Sequence, residues 1–90
     1  MDIFEDKLKE NYFLKDLEET INRVNKNINE TITIRKSICK TIVEMTLNSK
    51  INDKYVEKIK KLFIIIENLD KLLIEYKYIL YELNELKNYE

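Results

Sequence analysis

The side chains able to do chemistry in this chain are one thiol (Cys39), two guanidiniums (Arg23 and Arg35), fourteen lysines and seventeen carboxylates, with no histidine. A nucleophilic cysteine needs a base held against it, and without an imidazole Cys39 has none of the usual kind. A lone thiol cannot close an internal disulfide, and without histidine or further thiols it cannot build a zinc centre. Cys39 therefore reads as a small apolar core residue. No catalytic residue, metal site, cofactor or small-molecule substrate is expected, and the chain is read as a protein that is not an enzyme.

Two charged groupings remain. Arg35 falls on an otherwise apolar helical seam, where a guanidinium must snorkel, pair or meet another chain; Glu67 and Asp70 are its expected partners, and its expected role is to fix register. Lys50, Lys54, Lys58 and Lys61 crowd one half of the molecule, and helical spacing puts Lys54, Lys58 and Lys61 on one face. Such a stripe could track a phosphate backbone. The only aromatic residues beside it, Tyr55 and Phe63, are assigned to the core, so nucleic acid is kept as the alternative partner to protein.

The elements that place these groups follow from the apolar rhythm. From Tyr55 to Leu83, apolar residues recur at Tyr55, Ile59, Leu62, Ile66, Leu69, Leu73, Tyr76, Leu80 and Leu83, in steps of four and three. That is a helical heptad seam, which the period of a strand cannot produce. A second seam runs Leu14, Leu17, Ile21, Val24, Ile28, Thr31, Arg35, Ile38, Ile42 and Met45, with Ile32 and Cys39 widening it where it turns polar. Asn22, Asn25, Asn27 and Asn29 with Thr31 and Thr33 give the lowest helix propensity in the chain. A kink or a break near residues 25–31, giving three helices, is the alternative to one continuous first helix.

The chain lacks both Gly and Pro, which favours long elements and few turns. One domain over residues 1–90 is expected, with a helix over about 2–47, a turn over about 48–52 and a helix over about 53–88. Asp2 with Glu5 supplies a cap for the first helix, and Asn52 with Ile51 and Val56 supplies a cap and staple for the second. A short connection makes the helices antiparallel. With the turn near Asn48 to Lys50, facing residues have numbers that add to about 100, and the two seams then match layer by layer. The fold class is all-α: a long antiparallel helical hairpin, coiled-coil-like, completing a three- or four-helix bundle by self-association or with partner subunits.

The reason for a larger bundle is that the second helix carries more apolar surface than one neighbour covers. Ile65, Leu72, Ile79 and Leu86 form a row one position before its seam, and Ile74, Tyr78 and Tyr81 form an outward stripe. Leaving these wet would expose a patch larger than monomers ordinarily carry, and tyrosine is enriched at interface anchors. Phe4, Leu8 and Tyr12 overhang the end of the second helix and lack a partner within the chain. The partners expected are other protein chains, in a homodimer or a hetero-complex.

Charge is distributed to match. Residues 1–20 carry seven acidic and three basic side chains, residues 21–65 four and ten, and residues 66–90 six and three. A hairpin then has an acidic tip at its termini and a basic tip at its turn, and two laid head to tail would place opposite charges together. The longest apolar run, Leu62 to Ile66, is far too short to span a bilayer, and the acidic start lacks a signal core. An intracellular setting, cytoplasmic or nuclear, is expected by elimination.

One stretch, LKDLEETINRVNKNINETITIRKSICKTIVE, is similar to the first helix of the all-helical chorismate mutases in the rhythm of Ile21, Asn22, Val24, Asn25 and Arg35. The resemblance covers about a third of the chain. It would imply a cationic site for an anionic substrate, yet the family's catalytic arginine and lysine fall here at Glu18 and Thr46, and its short middle helix is missing.

Overall fold

The computed structural model describes the backbone of residues 3–48 and 53–88 and the side chains of residues 12–47 and 53–88. The proposed cap at Asp2 and Glu5, the turn residues Ser49 and Lys50 with the Ile51 and Asn52 staple and cap, and the side chains of Phe4, Leu8 and Asn48 lie outside the described residues.

Helix α1 spans Ile3–Asn48 and α2 spans Asp53–Asn88, and the two pack as a hairpin. The molecule measures 74 × 16 × 15 Å, with a radius of gyration of 20.9 Å, against about 12 Å for a compact domain of this length. It is a rod. At a rise of about 1.5 Å per residue, α1 alone runs about 69 Å, slightly longer than its seam required, and outruns α2 at the terminal end.

Helix α1 is continuous through the asparagine-rich segment. Every one of the five threonines turns its hydroxyl back onto its own helix and donates to the carbonyl four residues earlier. Thr31 bonds Asn27 O at 2.7 Å, Thr33 bonds Asn29 O at 2.9 Å, and Thr20, Thr41 and Thr46 do the same. A hydroxyl bonded this way no longer competes for a non-helical backbone, although it bends the helix slightly. The asparagines Asn22, Asn25, Asn27 and Asn29 stay in solvent while Val24, Ile28 and Thr31 are buried. Burying a Val or Ile side chain is worth about 1.5–3 kcal/mol, more than the ~0.7 kcal/mol or less that a poor helix former loses. Tertiary packing therefore overrides propensity here.

The seam is occupied as its spacing requires. Leu17, Ile21, Val24, Ile28, Thr31 and Ile42 are buried on α1, and Leu14, Arg35, Ile38 and Met45 are half-buried. On α2 only Ile66 is buried among the described residues, while Ile59, Leu62, Leu69, Leu73, Tyr76, Leu80 and Leu83 are half-buried. Two helices make a contact line with no interior, and α2 has the wider unmet demand.

Three expected core residues are not there. Phe63 is 53% exposed, off the line that a single straight neighbour covers, and Tyr55, the first seam position of α2, is 36% exposed. At the start of α2 the contact drifts to Val56, which is half-buried. Cys39 is also only half-buried, one position off the seam.

Candidate interaction surface

Arg35 sits on the α1 seam and reaches across to Asp70. Its Nε–H donates to Asp70 Oδ1 at 2.7 Å and its second amino group approaches Oδ2 at 3.5 Å, so the fork of the guanidinium meets both carboxylate oxygens. The remaining amino group lies 3.9 Å from Cys39 Sγ. The hydrogen bond to Asp70 and the attraction of its charge raise the guanidinium above its ordinary value, against a small opposing effect of desolvation.

Helical geometry explains why Asp70 is the partner. A side chain leans toward the N-terminus of its own helix, so Arg35, level with Ile66, reaches about one turn along and meets residue 70. The second bridge between helices obeys the same rule from the other side. Lys87 Nζ on α2 leans back to Glu18 Oε1 at 3.5 Å. The two pairs have residue numbers with the same total, so they share one register. This ion pair was not foreseen from the sequence, although the seam register with the lean of a long cation would have found it.

The flanking row of α2 is in solvent: Ile65 and Ile79 are each 43% exposed, Leu86 is exposed, and Leu72 is half-buried. The outward stripe Ile74, Tyr78 and Tyr81 is more exposed still. Tyr12 and Phe13 are exposed toward the terminal end of α1, and Ile34 and Val43 are exposed farther along the helix. With an accessible surface of 7710 Å² for 11.0 kDa, the rod exceeds by about 2,000 Å² the roughly 5,600 Å² of a compact monomer of that mass.

Lys54, Lys58 and Lys61 are all exposed, with Lys58 Nζ 5.9 Å from the centre of the Tyr55 ring; Lys50 lies outside the described residues. Counting on in steps of three and four from Lys58 leads through Lys61 to Ile65, Asn68, Leu72 and Glu75, and then to Ile79 and Glu82. The lysine patch and the apolar row are thus one stripe, basic near the turn, apolar in the middle and acidic near the termini. Glu82 and Glu85, which close it, were not singled out from the sequence; the signal was available in the spacing. Among the described residues, Lys54, Lys61, Glu82 and Glu85 make no ion pair within the chain.

Among the described residues nothing else gathers into a site. A shallow groove along α1 is lined by Asn22, Asn25, Asn29, Glu30 and Ile34 with Lys26, all from one helix, and its charges already pair at 4.0 Å between Lys26 and Glu30. Among the described residues no cluster of side chains could hold a metal ion, and no helix is long and apolar enough to cross a membrane. No protein-family model matches the chain, and comparison with curated proteins and with solved structures finds no similar one. The rhythm shared with chorismate mutase helices gains nothing from the structure: Glu18 is paired with Lys87, Thr46 bonds Ile42 O, and the described helices are two.

Proposed function

We propose that this chain is a non-catalytic helical oligomerisation or scaffold subunit that acts by packing its helices against other protein chains, in the cytoplasm or nucleus. The observation that carries the reading is the unmet apolar demand of α2, where Ile65, Ile79 and Leu86 stay in solvent although their helix already has a neighbour. A completed bundle of three or four helices covers such a row, and a two-helix rod cannot.

Nucleic-acid binding through Lys54, Lys58 and Lys61 is the second reading. Against it, the lysines run directly into Ile65, Leu72 and Ile79, which a phosphate backbone would leave wet. Light scattering coupled to size-exclusion chromatography tests the first reading. A helical species of at least twice 11.0 kDa at micromolar concentration is the expected result. A cooperatively folded monomer that persists to hundreds of micromolar would overturn it. Binding to RNA or DNA that steepens as salt falls would favour the second reading.

A further inference from the structure

Resting on that reading, we infer that the partner on the α2 stripe is a second copy of this chain, bound antiparallel about a two-fold axis at Leu72. The stripe is its own complement. Ile65 and Ile79 lie seven residues to either side of Leu72 and are equally exposed. An isologous antiparallel contact brings residue i against the residue equally far beyond the axis. Leu72 then meets Leu72 of the second copy, and Ile65 meets its Ile79. Asn68, an amide that can donate, comes beside Glu75. Farther out, Lys58 and Lys61 of one copy come within a helical turn of Glu82 and Glu85 of the other, twice over by symmetry.

No parallel arrangement does this. With the chains parallel the apolar residues still match, but Lys58 and Lys61 meet their own copies, as do Glu82 and Glu85, and like charges are destabilising at such positions. The same polarity holds along the whole rod, since the acidic excess lies in residues 1–20 and 66–90 and the basic excess in residues 21–65. The area is sufficient as well. A standard interface removes about 800 Å² from each partner, well within the excess surface of the rod.

Single nitroxide labels, placed on a Cys39→Ser background and measured by pulsed dipolar spectroscopy, test the arrangement on the full chain. In an antiparallel pair the separation along the rod grows by about 3 Å per residue from the axis. Labels at Lys71→Cys should therefore lie close together, while labels at Lys60→Cys should lie about 36 Å apart. Both positions are exposed, so neither substitution disturbs the hairpin. A parallel pair makes both distances short. As an independent arm, Lys58→Glu with Lys61→Glu should weaken the dimer by at least about tenfold, and adding Glu82→Lys with Glu85→Lys to the same chain should restore it. A dimer showing other distances, or no rescue, overturns this arrangement and leaves the scaffold reading standing. A stable monomer overturns both.

Discussion

Thr31→Val is expected to leave stability within about 0.5 kcal/mol of the parent, although it deletes a 2.7 Å hydrogen bond. Thr31 is 6% exposed, the only buried polar residue among those described. Its hydroxyl bonds only Asn27 O, a carbonyl that an α-helix already satisfies through the amide of residue 31 itself. Removing the hydroxyl therefore orphans no group. The lost bond is worth about 1 kcal/mol net, a figure from which the cost of desolvating the hydroxyl has already been taken. A buried methyl then adds about 0.8 kcal/mol. Threonine and valine have nearly equal helix propensity, so the backbone is unaffected. Thr33 is the control, since its hydroxyl makes the same bond to Asn29 O at 2.9 Å but stands in solvent. Thr33→Val should change stability by less than about 0.5 kcal/mol. Thermal melting followed by circular dichroism, at one fixed protein concentration, should show a shift of no more than roughly 2–4 °C for Thr31→Val and little for Thr33→Val. If Thr31→Val loses more than about 1.5 kcal/mol relative to Thr33→Val, the methyl is not accepted at that level, the seam is not apolar there and the reasoning fails.

Three further outcomes follow from particular contacts. Ile66→Ala removes the one buried side chain described on α2 and should lower stability by about 2–4 kcal/mol in urea unfolding, several times the effect of the same change at Ile74, which is 68% exposed. Lys87→Ala breaks a partly exposed bridge to Glu18 and should cost no more than about 0.5 kcal/mol, fading in high salt; a larger loss would mean the terminal end is held by that pair. Arg35 is raised by Asp70, so the stability it contributes is present in full below the ordinary arginine range and is lost only as pH climbs through the raised value. Its pairing should show no step between pH 6 and 11, whereas Arg35→Lys should add a loss, relative to the parent, from about pH 10 upward, where an amine begins to discharge.

Much of the fold was legible because heptad spacing is a strong signal. The positions that bury themselves on α1 are seam positions, including Thr31, which composition alone would have put in solvent, and the seam residue Arg35 is half-buried. The continuity of α1 was not legible. Asn25, Asn27 and Asn29 argue locally for a break, and only the burial of Val24 and Ile28 against α2 settles it. The choice of Asp70 over Glu67 needed the lean of a side chain along its helix, which spacing does not display. Phe63 was misplaced for a related reason: an apolar residue near a seam is core only if a neighbour reaches it, and a single helix reaches a narrow arc. The candidate surface was legible in fragments, as lysines in one place and isoleucines in another. Their continuity into Glu82 and Glu85 emerges once α2 is traced along one line.

A hairpin of two heptad seams can slip by one repeat with its apolar layers still matched, and the cross-helix ion pairs are what penalise that slip. Moving α2 by seven residues puts Phe63 or Lys77 where Asp70 stands before Arg35, and in one direction Leu80 where Lys87 meets Glu18. The first leaves a guanidinium without its carboxylate and the second sets cation against cation. A polar layer of this kind fixes register while contributing little stability. A register set by the proposed Arg35 layer would also set which residues of α1 flank the outer stripe of α2, the surface proposed above to meet a partner. Arg35→Leu with Asp70→Leu should therefore melt at or above the parent temperature while losing uniqueness, because the apolar layers then match equally well in either register and fraying a turn beside the connection supplies the slack. Amide NMR spectra of the double variant should show more than one set of peaks for residues 59–83. A single sharp set would mean that the connection, rather than the Arg35 layer, holds the register.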